Sequence, residues 1–301
     1  MADVSAVITS HNYAQYLPAA IDSVLGQTSS ALEVIVVDDG SSDDTERVVE
    51  PYRAKVRYVR QPNQGVAVAR NRGIAKSEGR YVAFLDADDL WLPRKLELQI
   101  DALSRQPDCR ACASAHRSFG PELSPPPVAR EKQHRSLLEA LVVSGNVVGI
   151  PSTMLCERSL LAEVGGFDPE LGDCADWDAW IRIAGVTGVA RVDEPLVAYR
   201  LHDRNMTRNV ELRERDSVRV LEKAFAMKSL PEEVRTRLRR VFARNYMVLA
   251  GSYLHAGSYR NFVRCVARAI ALDIRQAGYP AAWPMRLLAR ASAGRGEKDV
   301  A

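Results

Sequence analysis

Three short apolar runs, each followed at once by polar residues, constrain the fold of this chain more than any other feature. They occupy residues 4–9, 33–37 and 81–85. Their length and near-continuous apolar character are typical of strands buried in a parallel sheet. Between them, apolar spacing predicts helices over residues 16–26, 43–49 and 65–76, and residues 56–59 add another strand. This strand–helix alternation predicts an α/β fold, with a mostly parallel sheet flanked by helices.

The polar residues that end these strands predict a ligand site. They form three clusters: Thr9-Ser10-His11-Asn12, Asp38-Asp39-Gly40-Ser41 and Asp86-Ala87-Asp88-Asp89. Ligands of open α/β sheets bind at the carboxyl ends of the strands, where these clusters would meet. Because side chains alternate along a strand, Asp86 and Asp88 should share one side, with Asp89 turned away. Paired carboxylates suit Mg²⁺ or Mn²⁺ facing a phosphate; a solvated loop with Asp89 capping the next helix is the alternative.

The class of ligand follows from the motifs that are present and absent. No G-x-G-x-x-G follows the first strand and no G-x-x-x-x-G-K-[ST] occurs, so a dinucleotide or a P-loop nucleotide is disfavoured. Asp38 and Asp39 can accept hydrogen bonds from a base or a ribose, and a metal at the third cluster could hold a diphosphate. Together these clusters predict a nucleoside diphosphate.

Composition and charge suggest two regions. The chain has 301 residues, of which 47% are hydrophobic, which is enough for one large domain and a smaller one. Residues 200–301 carry 21 Lys and Arg against 10 Asp and Glu, whereas residues 1–199 carry 20 against 28. Helical spacing over residues 213–226, 231–256 and 258–271 predicts an all-helical C-terminal extension, with a hairpin at Gly257. We therefore expect domains at residues 1–208 and 209–293, and a disordered tail at 294–301.

Cellular context is inferred from what the sequence lacks. No stretch is long and apolar enough to be a membrane span, and no signal peptide is expected before Val4, so a cytoplasmic location is predicted. The five cysteines are expected to be reduced, because the lone Cys109-x-x-Cys112 has no second pair to complete a zinc site. The basic C-terminal region, including residues 279–293, is expected either to pack on the first domain or to contact an anionic membrane surface peripherally.

Several motifs occur in a fixed order along residues 3–208. They include Val7-Ile8-Thr9-Ser10-His11-Asn12, Val36-Val37-Asp38-Asp39-Gly40-Ser41, Ala69-Arg70-Asn71-x-Gly73 and Leu85-Asp86-Ala87-Asp88-Asp89. In order and spacing they resemble the family 2 glycosyltransferases. The resemblance implies a GT-A fold and transfer of a sugar from a nucleotide donor.

The resemblance also implies roles for individual residues. The donor-binding set is Thr9, His11, Asp39, Arg70, Asn71, Asp86 and Ala87, in which Thr9 and His11 match the nucleobase pocket and Asp39 the carboxylate that reads the base. The family often has an aromatic residue at the position of His11. Asp88 matches the metal ligand of the D-x-D motif, and His202, in Tyr199-Arg200-x-His202, a metal or diphosphate contact. Surface salt bridges are the alternative for Arg70 and Asn71.

The second half of the predicted domain is less regular. A helix is expected over residues 91–103 with Pro93 in its first turn, an irregular loop over 119–135 on the acceptor side, a helix over 136–143 and a last strand over 191–200. Residues 174–183 predict an amphipathic helix. Asp176 in its first turn resembles the family's catalytic base, although Ala175 departs from the usual Glu-Asp. A helix cap is the alternative for Asp176, and Asp178 is the alternative base.

The function implied by the resemblance is inverting, metal-dependent transfer of a sugar from a nucleoside-diphosphate sugar to an acceptor hydroxyl. UDP is favoured because Asp39 can accept the N3–H of uracil, and the metal is Mn²⁺ or Mg²⁺. The implied partners are a nucleotide-sugar donor and a saccharide or glycolipid acceptor of bacterial polysaccharide or glycolipid assembly, with no nucleic acid. The alternatives are a sugar-phosphate nucleotidyltransferase, which would need a Gly-rich basic loop after the first strand, and a non-catalytic carbohydrate-binding protein.

Overall fold

The computed structural model describes residues 3–120, 134–203 and 209–278. The strands are β1 (Val4–Ser10), β2 (Glu33–Asp39), β3 (Arg57–Gln61), β4 (Tyr81–Asp86), β5 (Leu90–Trp91), β6 (Cys109–Phe119), β7 (Met154–Glu157) and β8 (Gly188–Arg200). The helices are α1 (Leu17–Leu25), α2 (Thr45–Val49), α3 (Val66–Lys76), α4 (Lys95–Arg105), α5 (Leu137–Ser144), α6 (Arg158–Glu163), α7 (Ala175–Ala184), α8 (Val210–Ala226), α9 (Glu232–Arg235), α10 (Leu238–His255) and α11 (Tyr259–Leu272). The eight strands form one sheet in the order β3-β2-β1-β4-β7-β6-β8-β5.

The parallel half of the sheet is the part that the sequence predicts. Strands β3, β2, β1 and β4 are mutually parallel, and β1 lies between β2 and β4. The register places Ser10 beside Asp38 and Thr9 beside Asp86, so the three polar clusters end at one edge. Strand order reverses at β1, which is where α/β sheets open a crevice for ligands.

The sheet is buried on both faces. Along β1 the side chains alternate, so that Val7 packs with α3 and the helices near Trp180, while Ile8 packs with α1 and its Ile21. Each of these β1 side chains is fully buried. Burial on two faces explains why these strands are apolar throughout and do not alternate with polar residues.

Two strands and one strand pairing differ from expectation. β6 and β7 are not predicted, since β6 contains small residues with weak strand preference and β7 has four residues. Trp91 does not begin a helix: Leu90 and Trp91 form β5, which pairs with Ala198 and Val197 of β8. Helix α4 therefore starts at Lys95, and Pro93 lies before it instead of in its first turn.

The C-terminal region is helical, as predicted, but the helix expected over residues 231–256 is divided into α9 and α10. Val220, Leu221 and Phe225 of α8 belong to the same hydrophobic cluster as Trp177 and Trp180 of α7. Helix α8 thus shares a core with residues on the other side of the predicted boundary at 208.

Four other expectations concern segments of the chain outside the described residues. They are the loop over the acceptor side, of which residues 121–133 are not described, the closing residues 204–208, the segment 279–293 and the tail 294–301. Within the described ranges, none of the helices has the length and apolarity needed to cross a bilayer.

Candidate active site

A cavity of about 610 Å³ opens at the carboxyl ends of β1, β2 and β4. Residues from seven parts of the chain line it, among them Thr9, His11, Asp39, Arg70, Asp86, Ala87, Asp88 and Asp176. The structure therefore brings six of the seven predicted donor-binding residues together with the predicted metal ligand Asp88 and the predicted base.

Hydrogen bonds fix the imidazole of His11 at one end of this cavity. Its Nδ1 lies 2.8 Å from the backbone oxygen of Asp39, which can only accept, so Nδ1 donates. Its Nε2 lies 3.1 Å from Nδ2 of Asn12 and 3.2 Å from Nδ2 of Asn63, and accepts from these amides. Asn12 has φ +58°, a left-handed conformation that asparagine tolerates better than most residues. The ring is thus held by three neighbours in the wall of the cavity.

The carboxylate of Asp39 anchors the loop between β3 and α3. Its Oδ1 accepts from Nε2 of Gln61 at 2.8 Å and from the backbone N–H of Gln64 at 2.9 Å, and its Oδ2 accepts from the N–H of Gly65 at 2.8 Å. A carboxylate offers about four acceptor positions, so one position remains. Reading of a base by Asp39 stays a prediction that this geometry permits.

Arg70 and Asp86 form an ion pair in the wall of the cavity. Nη2 of Arg70 lies 2.7 Å from Oδ1 of Asp86, which also accepts from the hydroxyl of Thr9 at 3.3 Å. The Arg70 side chain is 7% exposed, and its guanidinium lies 5.3 Å from the ring centre of Phe167. The pair is partly buried, with Asp86 26% exposed to the cavity, and differs from the surface salt bridge considered as the alternative.

Asn71 does not line the cavity, and the structure corrects its expected donor contact. Its Nδ2 donates to the backbone oxygen of Phe167 at 2.7 Å, and its Oδ1 accepts from the Phe167 N–H at 2.8 Å. Both ends of the amide are used by the backbone of one residue. Asn71 therefore anchors the turn before Phe167 to α3.

Asp88 and His202, the two residues for which a metal role is predicted, lie in contact. Nε2 of His202 lies 2.9 Å from Oδ2 of Asp88, and the imidazole stacks on Tyr16 with ring centres 5.4 Å apart. Burial, together with the neighbouring Asp86 carboxylate, raises the pKa of Asp88, and the hydrogen bond with His202 opposes this rise. The pair therefore leaves a partly uncompensated carboxylate in the cavity wall.

The side chains around Asp88 can be compared with those that bind divalent metals in proteins. Within residues 3–120, 134–203 and 209–278, no three His, Cys, Asp or Glu side chains cluster to hold an ion by themselves. Mg²⁺ and similar hard ions are often bound by one or two carboxylates, with phosphate oxygens completing the shell. Asp88, with His202 beside it, fits an ion that the donor's diphosphate completes, and it does not fit a closed site made by protein alone.

Asp89, the third carboxylate, is buried and turned away from the cavity. It accepts from the hydroxyl of Ser152 at 2.6 Å and from the backbone N–H of Arg200 at 3.1 Å. Burial and the adjacent Asp88 raise its pKa well above the usual range. The alternative of a helix cap is wrong, because the residue before α4 is Arg94. Asp89 instead joins the end of β4 to the end of β8.

Asp176 lies in the first turn of α7 at the cavity wall. Its Oδ1 accepts from the backbone N–H of Trp177 at 2.7 Å, and its Oδ2 accepts from Nδ2 of Asn146 at 3.0 Å. Burial raises the pKa of Asp176 to about 7, although the charge of Arg70 opposes the rise. The helix-capping position belongs to Cys174. A carboxyl that titrates near neutrality is suited to accept a proton.

Asp178, the alternative base, has surroundings that do not suit a base. Its side chain is 3% exposed and lies between Nε of Arg182 at 2.9 Å and Nζ of Lys223 at 2.6 Å. Two cations neutralise it within the protein interior, outside the lining of the cavity. Asp178 therefore holds α7 against α8.

Sequence reasoning missed other residues of the cavity. Tyr13 and Asp173 both line it. Asp173 could have been suspected, since it lies three residues before Asp176. Tyr13 comes from the loop after β1, whose approach to the cavity depends on the tertiary structure.

Solved structures share the fold. The Staphylococcus aureus TarS fragment 1–349 superposes with a TM-score of 0.59 at 17% identity, covering 89% of this chain and 90% of that chain. A mannosyltransferase of Pyrobaculum calidifontis, in complex with GDP-Man and Mn²⁺, superposes with a TM-score of 0.63 at 20% identity, covering 98% and 81%. These likenesses confirm the predicted GT-A fold with a helical C-terminal region.

Sequence comparisons give the family. An uncharacterized glycosyltransferase of Rickettsia typhi is 32% identical over 241 residues, which is 77% of this chain and 74% of the relative. The putative teichuronic acid biosynthesis glycosyltransferase TuaG of Bacillus subtilis is 40% identical over 121 residues, 38% of this chain and 46% of TuaG. The family model described as Glycosyl transferase family 2 matches residues 5–165, more than half of the chain. Taken with the cavity and the fold, these matches show that the chain is a glycosyltransferase and belongs to glycosyl transferase family 2.

Proposed function

We propose that this glycosyltransferase moves a sugar from a nucleoside-diphosphate donor to an acceptor hydroxyl in a single displacement that inverts the anomeric centre. The observation that carries this proposal is that Asp176, whose pKa is raised to about 7, lines the same cavity as Asp86 and Asp88. A poised base and a diphosphate-facing carboxylate pair are what a one-step transfer needs.

The residues divide the work along the cavity. Thr9, His11 and Asp39 would bind the nucleoside, and Asp86, held by Arg70, would face the ribose or the sugar. Asp176 would accept the proton of the attacking hydroxyl, and Asn146 would keep its carboxylate oriented. A Mn²⁺ or Mg²⁺ ion held by Asp88 and His202, when bound, would neutralise charge on the departing diphosphate.

UDP is the proposed nucleotide, because Asp39 keeps one acceptor position for the N3–H of uracil. The neighbours bind different nucleotides: TarS structures contain UDP and UDP-GlcNAc, and the Pyrobaculum enzyme contains GDP-Man with Mn²⁺. A thermal-shift panel of UDP, GDP, dTDP and CDP, each with and without Mn²⁺, separates these cases, because a ligand that binds the native state raises its melting temperature. We expect the largest shift with UDP and Mn²⁺; a larger shift with GDP would overturn the choice of UDP.

Donor hydrolysis tests the reaction itself. Incubation with UDP-glucose, UDP-GlcNAc and GDP-mannose should release a nucleoside diphosphate. Release of pyrophosphate from a nucleoside triphosphate and a sugar phosphate would instead support a nucleotidyltransferase. That alternative is disfavoured by the turn after β1, where Ser10, His11 and Asn12 stand in place of a Gly-rich basic loop. If neither product is released, the result would support a protein that only binds carbohydrate.

The acceptor is proposed to be a saccharide or glycolipid of a bacterial surface polymer, a proposal consistent with the printed name of TuaG. Peripheral contact with a membrane is part of this proposal. On α11, Tyr259 and Val263 are 68% and 61% exposed, lie one turn apart and adjoin the exposed Arg260. Co-sedimentation with vesicles containing phosphatidylglycerol should occur at low salt and weaken in Val263→Asp, whereas Val248→Asp on α10 serves as an exposed control. No binding at low salt would eliminate the membrane contact.

A further inference from the structure

One face of α8 lies along the segment that leads to Asp176. Arg213, Asp216, Arg219 and Lys223 are spaced by three or four residues and therefore share a side of the helix. Each of them bonds a residue between 168 and 178: Arg213 bonds Asp173, Asp216 bonds Gly172 and Asp173, Arg219 bonds Glu170, and Lys223 bonds Asp168 and Asp178. No other described helix makes a comparable series of polar contacts with this segment.

Asp216 makes the most constrained of these contacts. Its side chain is fully buried, and its Oδ2 accepts from the backbone N–H of Gly172 at 2.7 Å and from that of Asp173 at 2.9 Å. Its Oδ1 lies 2.7 Å from Nη2 of Arg215. Hydrogen bonds to an ionised acceptor are stronger than neutral ones, so two successive peptide groups are held firmly at one point.

The peptides that Asp216 holds are part of the cavity. Gly172 and Asp173 line it, and α7 begins two residues later at Ala175, followed by Asp176. Arg213 fixes the Asp173 side chain as well, since its Nε lies 2.8 Å from Oδ2 of Asp173. The segment starts after Phe167, whose backbone N–H and C=O are both bonded by Asn71. Both ends of the turn before the catalytic helix are thus anchored.

We propose that Asp216 is a positioning residue for Asp176: it fixes the Gly172–Asp173 backbone so that α7 presents the Asp176 carboxylate to the acceptor hydroxyl. The proposal rests on the function proposed above, in which Asp176 is the base. Asp216 acts through the backbone and does not itself line the cavity. A displacement of about 1 Å at a reacting group can lower a rate by about 100-fold, which is why a contact behind the cavity can control turnover.

Two variants and a matched control test the proposal. Asp216→Ala removes both hydrogen bonds, whereas Asp216→Asn keeps an oxygen that can accept them. Ser217→Ala is the control, because Ser217 is also buried on α8 but accepts its hydrogen bond from Asn245 of α10. All three proteins are compared with wild type in hydrolysis of whichever of UDP-glucose, UDP-GlcNAc and GDP-mannose the wild type consumes fastest.

For Asp216→Ala we expect kcat to fall by about tenfold or more while KM for the donor changes by less than about twofold, since the donor end of the cavity is untouched. Asp216→Asn should recover most of the lost kcat, and Ser217→Ala should match wild type. A kcat within twofold of wild type for Asp216→Ala, or a loss shared equally by Ser217→Ala, would overturn the proposal.

Amide hydrogen exchange provides an arm that does not depend on turnover. Asp216→Ala should increase exchange in peptides covering residues 172–177 and leave those covering residues 82–89 unchanged; unchanged exchange at 172–177 would also overturn the proposal. If wild type hydrolyses none of the three donors, the proposed function fails for those donors, while the exchange arm still decides whether Asp216 holds the segment.

Discussion

Asp88 and Asp176 line one cavity, but their neighbours suit them to different chemistry. Asp88 has a second carboxylate, Asp86, two residues away and an imidazole at 2.9 Å, which are surroundings that favour a cation. For Asp176, burial is the main influence on the pKa, and the side-chain amide of Asn146 orients one carboxylate oxygen. Pairs of titratable groups placed in such unlike environments commonly mark the separate roles in an active site.

Replacing Asp88 tests the metal role. Asp88→Asn keeps the shape of the side chain and can still bond His202, so we expect the melting temperature to change little. Loss of the negative charge should abolish transfer and remove the dependence of UDP binding on Mn²⁺. Nucleotide thermal shifts with and without Mn²⁺, and turnover in excess chelator, measure both effects. Wild-type activity of the variant in chelator would show that no metal acts at Asp88.

Replacing Asp176 tests whether this residue acts as a base or has only a structural role. Asp176→Asn keeps an oxygen for the Trp177 N–H but cannot accept a proton, so turnover should fall by about 100-fold or more while UDP affinity survives. Because folding raises the pKa of Asp176 from 3.8 to about 7, the folded state binds the proton more tightly, and ionisation costs stability as pH rises through this range. The variant should therefore unfold at the same or a higher temperature than wild type at pH 8. A large fall in its melting temperature would assign Asp176 to structure.

The pH profile of wild type follows from the same pKa. Asp176 must be ionised to accept a proton, so kcat should rise tenfold per pH unit below about pH 7 and level off above it. Single-turnover rates from pH 5.5 to 8.5, with nucleotide binding measured at each pH, check this expectation. If the residual rate of Asp176→Asn rises with pH in the same way, a group other than Asp176 causes the pH dependence of kcat.

Helix α4 begins with a lysine that has no contact with water. Lys95 is fully buried; its Nζ donates to Oε1 of Gln99 at 2.6 Å and lies 4.3 Å from the ring centre of Trp91. Burial lowers its pKa to about 7, and the nearby Cys112 and Cys156 thiols oppose this. The helix is anchored through Gln99, which also donates to the backbone oxygens of Cys112 and Thr153. Burial of Lys95 therefore favours its neutral form in the folded protein.

This depressed pKa predicts how stability depends on pH. Between about pH 7 and the usual lysine pKa near 10.5, the unfolded chain binds a proton that the folded chain does not, so the free energy of unfolding should rise with pH in that window. Lys95→Met should be more stable than wild type at pH 6 and should lack this part of the rise. Urea unfolding at pH 6, 7.5 and 9 measures it, with the exposed Arg94→Met as control. Parallel pH curves for wild type and Lys95→Met would contradict the prediction.

Across the whole molecule, helices after residue 208 share a hydrophobic core with residues 1–208. Val220, Leu221 and Phe225 of α8 share a cluster with Trp177 and Trp180 of α7. Glu139 of α5 is bonded to Arg237 at 2.8 Å, so α5 is tied to the start of α10 as well. The basic charge of this region is partly used in such contacts.

A truncation tests whether residues 1–208 fold independently. Because removal of α8 exposes the tryptophan side of α7, we expect a chain ending at residue 208 to lose cooperative unfolding and to bind a hydrophobic dye. Differential scanning calorimetry, compared with a chain ending at Gly278, makes the measurement. A sharp transition near the wild-type temperature in the 208-residue chain would confirm the domain boundary predicted from charge.

Local pattern was enough for the parallel half of the fold and for one edge of the cavity. Strands β1, β2 and β4 are short apolar runs ending in Thr9, Asp39 and Asp86, and the geometry of parallel sheets brings their ends together whatever the rest of the chain does. The pattern of the α7 helix likewise predicts Asp176 in its first turn. These features depend on residues that are neighbours in the sequence.

Other features depend on contacts between distant residues, which no local pattern specifies. Leu90 and Trp91 are strand residues because β8 pairs with them from about 100 residues away, although the local pattern predicts a helix from Trp91 onward. Asn71, a predicted donor contact, anchors Phe167, and Asp178, the alternative base, pairs with Lys223, so both of these contacts support the fold. Asp216 reaches the turn before Asp176 from beyond the predicted boundary. Side-chain roles of this kind follow from which groups are buried together, and burial is decided when the chain folds as a whole.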